Sequence, residues 1–154
     1  MKLRVYISGP ITDTPELNRP AFDAVAGELR KLGYEPLNPH DVGDASESWT
    51  WNMRRSIVLM MGADCLVQLP GFTKSAGCVV ENNLAAALHM PRIALTASFL
   101  DVQAEATLRC IARDTQSTVP PVDIRAPGWA NLPVRVDADG TVTADPSVEA
   151  LEYV

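Results

Sequence analysis

Short apolar runs alternate with longer amphipathic stretches over the first hundred residues. Leu3 to Ser8 (LRVYIS) is apolar, breaks at Gly9-Pro10 and reads as a strand. Between Glu16 and Leu32, the residues Leu17, Ala21, Ala24, Val25, Leu29 and Leu32 recur at helical spacing. Pro20 lies inside that window and is tolerated only in a first turn. A helix is therefore predicted to begin near Arg19, with Pro20 at its first position, and to end at Gly33. Tyr34 to Leu37 is a second strand running into Asn38-Pro39-His40-Asp41, and Gly43 to Ser48 is a polar loop. Thr50 to Met61 reads as a second helix, with Trp51, Ile57, Val58 and Met61 available for packing. Cys65 to Leu69 is a third strand. A Pro-Gly loop then opens into an alanine-rich helix with Ser75 at the N-cap position. Its residues Val80, Leu84, Ala87 and Leu88 fall at i, i+4, i+7 and i+8 and predict the buried stripe. Pro91 to Thr96 is a fourth strand.

This β-α-β-α-β-α-β alternation predicts an α/β fold, a parallel sheet with helices on both faces and right-handed crossovers. The remainder differs in texture. Asp101 to Arg113 has a helical pattern, and Val119 to Pro133 holds four of the twelve prolines and reads as loop. Val134 to Val136 and Thr141 to Thr143 flank Asp139-Gly140, a hairpin signal. The expected division is an α/β domain over 1–98 and an extension over 99–154, packed on the same domain or on a partner subunit.

The chain has 154 residues, 47% of them hydrophobic, enough for one domain with a true core. Its net charge of −6 argues against binding a nucleic-acid polymer, whose partners are usually basic. A small phosphorylated ligand held by backbone N–H groups remains compatible. No apolar run is long enough to span a membrane, and the run after Lys2 and Arg4 is too short for a signal peptide. Cys65, Cys78 and Cys110 are odd in number, and neither they nor His40 and His89 stand at metal-ligand spacing. The expectation is a cytoplasmic protein with reduced thiols, no metal and no cofactor.

Open parallel sheets bind ligands beyond the carboxyl ends of their strands. Ser8-Gly9-Pro10-Ile11-Thr12, Asn38 to Asp41, Leu69 to Gly77 and Thr96-Ala97-Ser98 fall there. On a helix, Glu81 leans over Gly77, which predicts a carboxylate beside a small hollow, one turn from a helix N-terminus suited to an anion. Glu81 adjoins the predicted apolar stripe, so partial desolvation is expected. Gly9 admits either a closely approaching ligand or a simple turn. His40 suits a base, a sugar or a turn. Trp49 and Trp51 suit base stacking or helix packing, and Arg54 and Arg55 a phosphate or solvent. Asp64, at the opposite end of the third strand, reads as structural.

Tyr6-x-Ser8-Gly9-Pro10, Asn38-Pro39, Arg54-Arg55, Ala63-Asp64, Leu69-Pro70-Gly71, Ser75-x-Gly77-x-x-x-Glu81 and the helix end at Ala85 to Leu88 resemble the nucleoside 2-deoxyribosyltransferase superfamily. The resemblance covers about residues 3 to 96. It is nearest the DUF4406 type, and the 2′-deoxynucleoside 5′-phosphate N-hydrolases are a related branch. It implies a Rossmann-like fold, cleavage or transfer at the N-glycosidic bond of a nucleoside or nucleotide, and a homo-oligomer. It also implies roles for residues. Glu81 would attack the anomeric carbon, Tyr6 would orient it, and Ser75 would hold a 5′-phosphate near the backbone of Gly9 and Ile11. His40 would lie near the base, and Ser8, Pro10, Ser56 and Gly77 would line the substrate site. One position departs from the pattern: the resemblance implies an acid on the second helix where Ser56 stands, and a serine does not donate a proton near neutral pH. Two other readings stay open, a non-catalytic nucleotide sensor and a scaffold that merely keeps the fold.

Overall fold

The computed structural model describes residues 2–115 and the backbone of two strands, 134–136 and 142–144. Four strands, β1 (Arg4–Ser8), β2 (Glu35–Leu37), β3 (Cys65–Gln68) and β4 (Arg92–Ala94), form one sheet in the order β2-β1-β3-β4. Every pairing is parallel, with Tyr6 opposite Leu66 and Ser8 opposite Gln68. The connecting helices are α1 (Arg19–Lys31), α2 (Trp49–Met61) and α3 (Ala76–Ala87), and α4 (Val102–Thr115) follows β4.

Strand side chains alternate between faces, and here both faces are buried. Val5, Ile7, Cys65, Val67 and Ile93 pack on Phe22, Val25, Ala26 and Leu29 of α1 and on Ala104 and Leu108 of α4. Tyr6 and Leu66 face the other way, onto Met60 of α2 and Ala85 of α3. The expected Rossmann-like α/β architecture is thus present. The first of two compact units runs from Met1 to Pro121, with α4 contributing to its core. The second, Val122 to Val154, contains an antiparallel hairpin of β5 (Val134–Val136) and β6 (Val142–Ala144). The expected loop at 119–133 lies outside the described residues.

Helix ends follow their local chemistry. α1 begins at Arg19 with Pro20 in its first turn. Upstream, Glu16, Leu17 and Asn18 take left-handed backbone, with φ of 51°, 54° and 57°, so the helix starts only at Arg19. Gly33, at φ +85°, closes the helix, and the Tyr34 N–H bonds back to the Leu29 carbonyl. Ser48 and Ser75 cap α2 and α3 by accepting from the N–H groups of Trp51 and Cys78.

Two stripe expectations are corrected. On α3 the buried positions are Cys78, Glu81 and Ala85, while Val80, Ala87 and Leu88 are exposed and Leu84 is half-buried. On α2 the buried positions are Ser56 and Met60, while Val58 and Met61 face outward. Hydrophobic periodicity misled in both cases because polar residues occupy the inward line. Glu81 therefore lies in the buried stripe itself, not beside it.

Candidate active site

Period-2 alternation puts Tyr6 and Ser8 on one face of the central strand β1, directed at α3. There they meet Glu81 from both sides. Tyr6 Oη donates to Glu81 Oε1 at 2.6 Å, and Ser8 Oγ donates to Oε2 at 2.5 Å. Tyr6 and Ser8 are fully buried, and Glu81 is 6% exposed. Burial raises the Glu81 carboxyl above its ordinary pKa, and the two hydroxyl donors offset part of that rise. The Tyr6 phenol is pushed well up, first by burial and then by the adjacent carboxylate, so it stays protonated and keeps donating. The result is a carboxylate with fixed orientation and one hydrogen bond on each oxygen.

A further layer surrounds this pair. The Ser56 hydroxyl of α2 lies beside the Tyr6 oxygen and offsets part of the rise in the Tyr6 pKa. Cys78, one turn before Glu81 on α3, lies against the Ser8 and Ser75 hydroxyls, and burial raises its thiol pKa. On β3, buried Gln68 donates from Nε2 to Asn82 Oδ1 at 2.9 Å, and Arg92 Nη1 reaches the same oxygen at 3.2 Å. Sequence reasoning missed Cys78, Gln68 and Asn82 and gave Ser8 only a substrate contact. A usable signal existed for Gln68, a polar residue ending a buried parallel strand opposite Ser8.

The hollow expected over Gly77 is bounded by a side chain from α2. A Cβ at Gly77 would lie 3.3 Å from Met53 Sδ and 4.0 Å from Ser75 Oγ. Ser75 Oγ accepts from the Cys78 N–H at 3.4 Å. Among the described residues neither Ala76 nor Gly77 donates its N–H to a carbonyl, which leaves two donors at the start of α3. Gly9 has a packing reason beyond either expected one. A Cβ there would stand 2.7 Å from Leu69 Cδ1 and 3.0 Å from Phe22 Cζ, so strand end and core meet without room for a methyl.

Other candidates are placed as follows. Pro10 accepts from Asn18 Nδ2 at 3.0 Å and lies near Gly71, joining the loops after β1 and β3. Ile11 packs its side chain on the core, and its carbonyl accepts from Thr14. His40 is not joined to Glu81 by any hydrogen bond. It packs edge-on against Phe22 at 4.8 Å, with Nε2 buried and unpartnered. Burial, followed by the charge of Arg19, lowers its pKa. Trp51 carries the Arg55 guanidinium on its face at 4.7 Å, and Arg55 Nε donates to the Val42 carbonyl. Trp49 is half exposed at the start of α2, and Arg54 is exposed. Asp64 Oδ2 accepts from the Arg4 N–H at 2.7 Å, the structural role expected of it. Among the described residues, no group of three or more His, Cys, Asp or Glu is arranged to hold a metal ion, and no helix is long and apolar enough to cross a membrane.

Comparison with known proteins gives two positive findings. One solved structure similar to this one is a 2-desoxiribosyltransferase from Leishmania mexicana, at 20% sequence identity and a TM-score of 0.49. The match covers 64% of this chain and 65% of that one, so the chain spans just under two thirds of its length. No curated protein matches the chain. Residues 3–94, which hold all four strands, α1 to α3 and the Tyr6, Ser8 and Glu81 cluster, match a sequence family, and the chain belongs to it: Domain of unknown function (DUF4406).

Proposed function

We propose that the protein cleaves or transfers across the N-glycosidic bond of a nucleoside, a deoxynucleoside or a 5′-monophosphate of either, with Glu81 as the nucleophile. The observation that carries this reading is the buried Glu81 carboxylate, oriented by Tyr6 on one oxygen and Ser8 on the other. A carboxylate nucleophile divides a hard displacement at a sugar into two easier steps. Glu81 attacks C1′, the base departs, and water or a second base resolves the glycosyl ester. Burial makes this carboxylate more basic than an exposed one, and the hydroxyl donors hold it in one pose. The Ala76 and Gly77 N–H groups and the Ser75 cap support a 5′-phosphate at the start of α3. The proposal includes a homo-oligomer, supported by the exposed Val58 and Met61 of α2 and Val79, Val80 and Leu88 of α3.

The experiment is release of free base from a panel of nucleosides, deoxynucleosides and 5′-monophosphates by wild type and Glu81→Gln. Release by wild type alone supports the reading. Equal release by both refutes Glu81 as nucleophile, and absence of release from the whole panel refutes the enzyme. The second reading, a nucleotide sensor, is favoured by Ser56, whose hydroxyl is engaged with Tyr6 and supplies no acid. It predicts thermal stabilisation by one nucleotide without turnover, retained in Glu81→Gln.

A further inference from the structure

The surroundings of Glu81 are neutral. Its two hydrogen-bond partners are hydroxyls, the Ser56 hydroxyl and the Cys78 thiol stand behind them, and the Arg92 guanidinium is engaged with Asn82 rather than with Glu81. The two titratable neighbours, Tyr6 and Cys78, are both held in their protonated forms. Among the described residues the ion pairs are Arg4 with Glu35 and Arg109 with Glu105, and neither involves the site. The acidic side chains nearest in sequence to the ligand-facing loops, Asp13, Asp41, Asp44 and Glu47, are exposed to solvent. Asp44 is held ionised by Ser46. Among the described residues no cation pairs with Glu81, and the hydroxyl and thiol groups around it surrender no proton near neutrality.

A substrate fits this arrangement best if it supplies both missing features. A neutral nucleoside leaves with its base as a nitrogen anion unless an acid protonates it. A cationic base needs no proton, because it departs neutral. Its positive charge also meets the one uncompensated carboxylate, an attraction that grows as water is excluded. Resting on the glycosidase reading above, we propose that the preferred substrates are nucleosides or nucleotides with a cationic heterocycle on C1′, namely N-glycosyl pyridiniums or N7-alkylated purines.

The step balances without a further reagent. A Glu81 carboxylate oxygen forms a bond to C1′ as the C1′–N bond breaks. The electron pair of that bond moves to the ring nitrogen and cancels the positive charge. Water then attacks C1′ of the ester. Its oxygen and one hydrogen become the sugar hydroxyl, its other proton enters solvent, and Glu81 recovers its charge. Each hydrolysis of a cationic substrate therefore releases one proton net. Hydrolysis of a neutral nucleoside releases none, since the base takes that proton up.

The test compares 7-methyl-2′-deoxyguanosine with 2′-deoxyguanosine, and nicotinamide riboside with uridine, on the full-length protein. Base release is measured by chromatography and proton release in weakly buffered solution, with Glu81→Gln as control. General acids contribute about 10²–10⁴-fold. Normalised to its own spontaneous hydrolysis, each cationic substrate is therefore expected to be accelerated about 100-fold more than its neutral counterpart. One proton should appear per base, and kcat/KM should show one ascending limb with pH. Equal acceleration of the neutral substrates, with a descending alkaline limb, overturns the inference and leaves the glycosidase reading standing. No release from any substrate overturns both.

Discussion

Replacing Tyr6 by phenylalanine keeps the ring that fills the core under α2 and α3 and deletes one oxygen. That oxygen donates to Glu81 Oε1 at 2.6 Å and has the Ser56 hydroxyl beside it. A hydrogen bond to a charged group contributes about 1.5–3 kcal/mol. Most of that loss falls on ionised Glu81, since the protonated acid depends less on a donor. Tyr6 is among the groups that lower the Glu81 pKa against burial, so its removal moves that pKa further up. On the proposed mechanism Glu81 acts deprotonated, and the ascending limb of kcat/KM should therefore shift to higher pH. Activity at a fixed neutral pH should fall about 10–150-fold, with 1.4 kcal/mol counting tenfold. Stability should follow the same sign. Tyr6→Phe should be less stable than wild type at alkaline pH, above the Glu81 transition, and approach it in acid. The assay is base release from pH 4 to 9 alongside thermal denaturation at the same values. An unmoved limb with activity within about twofold of wild type would show that the bond does not hold the carboxylate. Ser8→Ala acts on the other oxygen, and the double variant should lose less than the sum of the singles, because both bonds serve one group.

Glu81→Gln tests the cost of the buried charge. A carboxyl whose folded pKa is raised contributes stability below its unfolded pKa and loses it as pH rises through the folded one. The Gln variant should thus melt above wild type near pH 8 and converge with it near pH 4, at about 1.4 kcal/mol for each pH unit of displacement. A variant that melts lower at every pH would contradict the desolvation argument. The two site glycines should respond with opposite signs. Gly9→Ala drives a methyl into Leu69 and Phe22 and should cost about 1–3 kcal/mol. Gly77→Ala meets only the flexible end of Met53 and gains helix propensity, so its denaturation midpoint should hold or rise by up to about 1 kcal/mol. Equal losses at both would refute the packing assignment.

The strand and helix order was legible because each apolar run is short and each break carries a Gly or Pro that only a loop or cap accommodates. Pro20 marks the start of α1 and Gly33 its end, and both act through backbone geometry that no tertiary contact has to supply. Burial on α2 and α3 was not legible by hydrophobicity. Those helices turn Ser56 and Glu81 inward and Val58, Val80 and Leu88 outward. Periodicity assumes that the apolar side faces the sheet, and it fails where the sheet presents hydroxyls. Tyr6 and Ser8 carried that information, since alternate positions of one strand share a face, and Gln68 repeats it on β3. Gly9 failed differently: a glycine before a loop says that a side chain is excluded, while only coordinates say by what.

These failures coincide in space. The inward polar residues of α2 and α3 and the polar positions of β1 and β3 line one sheet face near its carboxyl end, while the opposite face packs with apolar residues throughout. A chain selected for stability alone would fill both faces alike, because a buried carboxylate is destabilising even with two hydroxyl donors. Sequence rules break where a fold keeps groups for work other than packing. The inward polar line marks a candidate working face without any ligand, and burial sets Glu81 apart from exposed acids such as Asp13 or Asp44. Ser56 lies one turn from Met60 on the same inward line, beside the Tyr6 hydroxyl that bonds the carboxylate. Ser56→Ala should therefore reproduce the Tyr6→Phe shift of the pH limb in smaller degree. A variant with unchanged pH dependence would reduce Ser56 to a buried hydroxyl with a packing role only.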